Sequence, residues 1–255
     1  MTMLIILLFI MQITTALRLF NTRKLYSKQY AISPLWTPQS NYIPKPSETF
    51  YNNNNNTSLK TEQQHSYIRS LIIDNFDSYT FNIWQIVADI NKISPDVVYN
   101  DNIACLNELR RTKYQNYDCI ILSPGPGTVE NPLDFGICKH ILLESPIPVL
   151  GVCLGHQGLA YTFGGTITKA PEPVHGRIWS ISHNSEGIFK DLPKTVSVVR
   201  YHSLIVAEDV TYKVPSCLEV TARTSEGLIM GLRHRHRPLY GKLEFIYVSL
   251  LNDYL

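Results

Sequence analysis

Two short stretches of the chain combine residue types and spacing that suit covalent chemistry. The first, "PVLGVCLGHQ" over residues 148–157, sets Cys153 between Gly151 and Gly155, after an apolar run and before a helix-like segment. Gly-x-Cys-x-Gly at a strand-to-helix junction is the thiol form of a nucleophile elbow. The two glycines permit a tight turn and a close approach of strand to helix. A thiol at a helix N-terminus is favoured as the thiolate, and the N–H of Leu154 faces the region where an oxyanion develops during acyl transfer. A lone cysteine between glycines is also compatible with a packed structural thiol, and the pattern alone leaves both open. The second stretch, "SPGPG" over residues 123–127, follows another apolar run. It has no reactive side chain, but the N–H groups of Gly125 and Gly127 suit a second wall of an oxyanion or substrate site. A plain strand-end turn is the alternative.

The elements that must position these turns alternate in type. "YIRSLIID" is expected as a strand ending at the polar turn Asp74-Asn75, and "SYTFNIWQIVADI" as a helix with Ser78 as N-cap. "DVVYN" is a short strand, and "IACLNELRR" a helix carrying Arg110 and Arg111 at its C-terminal end. The strand "YDCIILS" leads into "PGPG", and "FGICKHILLE" is the next helix. "IPVLGV" is a buried strand, and "GHQGLAYTFG" a helix closed by Gly164-Gly165. This alternation predicts an α/β fold, a doubly wound, mostly parallel sheet with helices on both faces. Chemistry in such sheets lies in the crevice at the carboxyl ends of the strands, where both turns fall. Beyond Gly165, "RIWSISH", "VSVVRYHS", "CLEVTAR" and "LIMGLRH" read as added β segments.

Composition bounds the rest. A chain of 255 residues with 44% hydrophobic content can hold one sizeable domain plus a tail. A formal net charge of +2 gives no argument for nucleic acid or an acidic membrane surface as partner. Five cysteines without CxxC spacing argue against a disulfide framework and a structural zinc site, and point to a reducing compartment. Residues 1–33 differ in kind: "MLIILLFIM" is too short to span a bilayer, and the following basic, acid-free stretch is transit-like. Together they suggest entry into a plastid or another organelle, with no stable membrane span in the mature form. Residues 34–67, with four prolines and "YNNNNNTS", are expected as low-complexity linker, and 68–255 as the folded domain.

Several stretches in order then carry a resemblance: "IIDNFDSYTFNI", "ILSPGPGTVENPLDFGIC", "PVLGVCLGHQGLAYTFGG", "PEPVHGR" and "VVRYHSL". Over roughly residues 69–241 the chain resembles the class I glutamine amidotransferases (a flavodoxin-like fold), in particular those that feed ammonia to chorismate-using enzymes. Two sister families compete, aminodeoxychorismate synthase of the folate (4-aminobenzoate) route and anthranilate synthase component II of the tryptophan route. "APEPVHGR" and the "DFGIC" helix look more like the former. The resemblance implies that Cys153 attacks the side-chain amide of L-glutamine, giving a glutamyl thioester and ammonia. It implies that Gly125, Pro126 and Gly127 contact the substrate, that Gln157 binds glutamine, and that Ser203 and Leu204 clamp its amino-acid end. The expected partner is a chorismate-using synthase, as a fused domain or a separate chain, with no metal and no cofactor. His156 and His202 are expected to be structural, and His175 to lie on a partner-facing loop.

The likeness ends abruptly. The family supplies a histidine, oriented by a glutamate two residues on, from a "YGVQFHPES"-like segment. Here "LYGKLEFIYVSLLNDYL" follows, with Phe245 at the histidine position and Tyr247 at that of the glutamate. Neither can act as the base or its anion. His234 and His236 in "RHRHRP" are expected in an exposed basic hairpin turn, apart from the chemistry. The expectation is therefore an incomplete site of weak activity, or a non-catalytic binding module that docks on a synthase. "KLEFIYVSLL" remains β-prone and able to cover a sheet edge.

Overall fold

The computed structural model describes residues 67–172, 176–243 and 245–246. The targeting-like segment, nearly all of the proposed linker, His175 and Tyr247 lie outside these residues. Three short apolar runs form the centre of the sheet: β1 (Ser70–Asp74), β3 (Cys119–Leu122) and β4 (Val149–Val152), each buried at every position. Burial on both sides is the signature of parallel strands covered by helices. Between them come α1 (Thr80–Asn91), β2 (Asp96–Tyr99), α2 (Ile103–Arg111), a single turn α3 (Pro132–Phe135) and α4 (Cys138–Glu144); α5 (Leu154–Thr162) follows β4.

Side chains alternate along each central strand. Ile72, Ile121, Leu150 and Val152 face Ile83, Ile86 and Val87 of α1. Leu71, Ile73, Ile120, Leu122 and Val149 face the opposite core with Leu106 and Leu109 of α2, Ile141 and Leu142 of α4, and Leu159 of α5. Helices thus cover both faces. Fully burying one such side chain is worth about 1.5–3 kcal/mol, so the two layers fix the strand register.

The remaining strands are β5 (Ile167–Lys169), β6 (Arg177–His183), β7 (Thr195–Arg200), β8 (Leu204–Val206), β9 (Leu218–Thr224), β10 (Ile229–His234), β11 (Leu239–Lys242) and β12 (Phe245–Ile246). The sheet order is β12-β7-β6-β9-β10-β11-β4-β3-β1-β2, with β5 and β8 as a separate antiparallel pair. From β2 to β11 all neighbours are parallel, an order 2-1-3-4 continued by β11; the other half is antiparallel. The doubly wound parallel sheet is present, extended by the β segments expected after Gly165. The segment after Gly241 does add to the sheet edge: Phe245 and Ile246 pair with Val199 and Val198.

Two local expectations need correction. Ser78 does not cap α1: the helix begins at Thr80, and Tyr79 occupies the cap with no side-chain bond. The helix start is fixed instead through the Asp74 side chain at the end of β1, which accepts from the Thr80 hydroxyl at 2.8 Å and from Asp77 N–H at 3.2 Å, without bonding a helix N–H. A buried carboxylate is a stronger acceptor than a serine hydroxyl. The helix expected from Phe135 starts only at Cys138, because Gly136 (φ +42°) presses its α-carbon against the Asn100 carbonyl and breaks the run. Among the described residues no helix is long and apolar enough to cross a membrane.

Candidate active site

Cys153 stands at the carboxyl end of β4 as the residue before α5, with φ +52° and ψ −101°. A non-glycine residue there carries strain of about 1–3 kcal/mol, which persists only where surrounding contacts enforce it. Those contacts are visible. The Cys153 N–H donates to the Lys242 carbonyl of β11 at 3.0 Å, and its carbonyl accepts from Gln157 N–H at 3.0 Å. Helix and strand also meet closely: a Cβ on Gly155 would lie 2.7 Å from the Leu122 carbonyl, and one on Gly151 would lie 2.9 Å from His156 N. The elbow geometry expected from Gly-x-Cys-x-Gly is present.

Cys153 differs from the core thiols. It is partly exposed, whereas Cys105, Cys119 and Cys138 are buried. Burial pushes the Cys105 and Cys119 thiols up to about 12, and raises that of Cys138 too. Those three are packed in the core, with the Cys119 and Cys138 thiols donating to Ser70 Oγ and Asn75 Oδ1.

Because β3 lies beside β4 in parallel, the "SPGPG" loop emerges next to the elbow. A Cβ on Gly125 would lie 2.7 Å from Leu154 Cδ2, so the two turns touch. Prolines 124 and 126 have no N–H, which leaves Gly125 and Gly127 as the inner donors. Among the described residues, neither these two N–H groups nor that of Leu154 donates a hydrogen bond. Pro126 and Gly127 are exposed and Gly125 is half-buried. Unmet donors beside a strained, accessible thiol are what an oxyanion requires.

A second junction joins α5 to the loop after β7. Gln157 is buried, and its Nε2 donates to the Leu204 carbonyl at 3.2 Å. Ser203 is exposed, its carbonyl held by Ala170 N–H at 2.8 Å. The structure therefore brings Gly125 to Leu154 and Gln157 to Leu204, both by way of α5; Ser203 enters as the neighbour of Leu204.

The histidines sort as follows. His156 is fully buried, its Nδ1 against Gly241, and burial pushes it down to about 3, with nearby His202 adding to the effect. It is neutral at physiological pH. His202 is buried in the loop between β7 and β8. His234 and His236 lie in the β10–β11 hairpin, where His234 Nδ1 accepts from the His236 and Arg237 N–H groups at 3.1 Å. That hairpin enters β11 beside Val149, the opposite end of β4 from Cys153. Four strand residues put it about 13 Å away, beyond proton-transfer reach. Phe245 lies in the two-residue strand beside β7. Among the described residues no group of His, Cys, Asp and Glu is placed to hold a metal ion.

Sequence reasoning missed Asn75, which is buried beneath the "SPGPG" loop, and Arg200, buried at the end of β7 with its guanidinium 4.5 Å over the Trp179 ring. The polar cluster that closes "LIIDN" was the available signal for Asn75.

Comparison with known proteins shows the family of the folded region. The family model "Glutamine amidotransferase class-I" matches residues 71–242. The chain is 45% identical over 174 residues to an aminodeoxychorismate synthase of Streptomyces griseus, covering 68% of this chain and 23% of that one. It is 47% identical over 150 residues to the protein named aminodeoxychorismate synthase, chloroplastic, of Arabidopsis thaliana, covering 56% and 16%. An anthranilate synthase component 2 of Leptospira biflexa is 41% identical over 185 residues, covering 68% and 89%. Among solved structures, a putative GMP synthase protein of Thermoplasma acidophilum aligns with a TM-score of 0.60 at 25% identity, over 71% of this chain and 84% of that one. The chain spans less than a quarter of the length of the aminodeoxychorismate synthases it matches.

Proposed function

The chain belongs to the class I glutamine amidotransferases, and on that premise we propose that Cys153 forms a glutamyl thioester from L-glutamine and releases ammonia for a chorismate-using synthase. The observation that carries this is the unmet N–H donors of Gly125, Gly127 and Leu154 beside a strained thiol. In this reading the thiol sulfur attacks the carboxamide carbon, and the carbonyl π pair moves to oxygen, where those donors stabilise it. The C–N bond then breaks, nitrogen leaves as ammonia with the thiol proton, and water later hydrolyses the thioester to glutamate. Gln157, Ser203 and Leu204 hold the amino-acid end, and Pro126 shapes the loop.

The aminodeoxychorismate (folate) route is our preferred assignment, supported by "APEPVHGR" and by the Streptomyces and Arabidopsis relatives. The tryptophan route has its own support in the component 2 relative, which the chain covers almost end to end. The folded domain is taken as 68–255, after a targeting segment and a linker. That segment, with the chloroplastic relative, supports a plastid or related organelle.

A catalytically weak or silent module is the second reading. It is supported by the count from Gly241, which on the resemblance puts Phe245 and Tyr247 at the positions of the family's histidine and glutamate. General acid–base assistance is worth about 10²–10⁴-fold, which sets the expected deficit in turnover. Glutamate release by the full chain, with Cys153→Ala as control, tests both. Cys153-dependent turnover within tenfold of a His-containing relative rejects the silent module, and Cys153-independent turnover rejects the nucleophile. Adding a chorismate-using synthase and chorismate, then identifying 4-aminobenzoate or anthranilate as product, decides the route.

A further inference from the structure

Asn75, at the turn after β1, is only 1% exposed, and its amide is engaged on both sides. Its Nδ2 donates to the Ser123 carbonyl at 2.7 Å, and its Oδ1 accepts from Asn100 Nδ2 at 2.9 Å and from Cys138 Sγ at 3.3 Å. Its backbone N–H donates to Ser123 Oγ at 2.9 Å, and that hydroxyl donates on to the Pro124 carbonyl at 2.7 Å. Asn100 carries the network further, donating to the Asp134 carbonyl at 2.8 Å. The Asp134 carboxylate accepts from Thr128 N–H at 3.0 Å and lies against the α-carbon of Gly127. The loop 123–127 is thus tied at its start by Asn75 and at its end by Asp134.

Between those ties the loop makes contact but no hydrogen bond through Gly125 or Gly127 among the described residues. A Cβ on Gly125 would lie 2.6 Å from Asn75 Cβ and 2.9 Å from the Asn75 carbonyl, so Asn75 is also the surface on which Gly125 rests. The β1–β3 ladder does not need this amide, since it already ends in the bond from Ser123 N–H to the Ile73 carbonyl at 3.0 Å. Phe76, the next residue, sits at φ +60°, a conformation unfavourable for a bulky side chain. A strained turn and a buried amide bonded through both its nitrogen and its oxygen therefore hold a loop whose own donors stay open.

We propose that Asn75 is a positioning residue for the oxyanion wall: acting through Ser123, it sets the direction of the Gly125 N–H toward the carbonyl oxygen of an acyl group at Cys153. The inference rests on Cys153 being the nucleophile, and the test separates the two. Two reactions of the same thiol in the full-length chain differ in their need for an oxyanion. With iodoacetamide, sulfur displaces iodide and no oxyanion forms. With the γ-methyl ester of L-glutamate, sulfur adds to the ester carbon and the π pair moves to oxygen. The C–O bond then breaks, and methanol leaves with the thiol proton, giving an acyl-Cys153 that intact-mass spectrometry detects.

Asn75→Asp keeps the shape and both acceptor contacts but turns a carboxylate oxygen toward the Ser123 carbonyl. Acylation is expected to fall on the order of 10²-fold, the usual cost of losing one oxyanion donor, with alkylation changed less than about twofold, since it forms no oxyanion. Ser123→Ala, which leaves the Asn75 amide in place, is expected to give a smaller fall in acylation with alkylation again unchanged; it serves if Asn75→Asp does not melt cooperatively. Parallel losses in both reactions, or acylation at the parent rate in a folded variant, overturn the positioning role. A parent chain that is alkylated but never acylated overturns the nucleophile itself, and the inference with it.

Discussion

Gly155→Ala tests whether the elbow depends on the close approach of α5 to β3. The added methyl would meet the Leu122 carbonyl at 2.7 Å and Leu122 Cβ at 2.9 Å. Leu122 belongs to a central strand with neighbours on both sides, so the helix start must yield instead. Overpacking of this kind costs about 1–3 kcal/mol. Alanine's better helix propensity recovers at most about 1 kcal/mol, and less in a first turn. The net loss is about 1–2 kcal/mol, a fall in Tm of about 3–6 °C for a domain of this size. Moving the helix start away from β3 also moves the Leu154 N–H away from Gly125, so acylation of Cys153 should slow as well. Gly164→Ala is the control. Its φ is +95° with nothing within 4 Å of the new methyl, so it carries only the backbone penalty of about 1–2 kcal/mol and leaves acylation unchanged. Circular dichroism melts and mass-detected acylation measure both effects. A Gly155→Ala variant that melts at or above the parent temperature refutes the close-approach argument.

Two further predictions use the titrating groups. In the native chain at pH 7.5, iodoacetamide should label Cys153 and Cys217, both partly exposed, and spare Cys105, Cys119 and Cys138, whose raised pKa leaves almost no thiolate. Peptide mapping checks this, and labelling of the buried three at native rates would contradict the packing described. His156 is held down to about 3 when folded, against about 6.5 when unfolded. The unfolded chain therefore takes up the proton first. The stability tied to neutral His156 is full above pH 6.5 and is lost as the pH falls toward 3, by about 2 kcal/mol at pH 5. Urea midpoints at pH 7 and 5 should show His156→Gln losing about 2 kcal/mol less than the parent over that interval; equal losses would mean that the ring is not buried as described.

The parts of the fold legible in the sequence are those with a local cause. The runs "LIID", "CIIL" and "VLGV" announce strands buried on both faces because nothing polar interrupts them, and the segment "IACLNELRR" with its terminal arginines coincides with α2, whose start the structure shows capped by Asn102. The errors fall where a tertiary contact overrides a local preference. Ser78 is a good N-cap by type, but Asp74 reaches the same helix start from the end of a strand. Gly136 sits in a plausible helical run, yet the Asn100 carbonyl from a separate connection presses on it.

The same division explains the site. Cys153 was identifiable because an elbow is written in consecutive residues. The acceptor of Gln157, the Leu204 carbonyl, lies 47 positions away, and no feature of "GHQG" by itself names it; only the resemblance to a family linked the two. Asn75 was harder still, because asparagine after a strand reads as an ordinary turn residue. Its place in the network appears only when Ser123 and Asn100, from two connections, and Cys138, from the start of α4, converge on one amide. An elbow such as that at the proposed nucleophile is thus local geometry and can be read along the chain. The loop geometry around it is a set of long-range hydrogen bonds, and these exist only once the sheet has brought the ends of β1, β3 and β4 side by side.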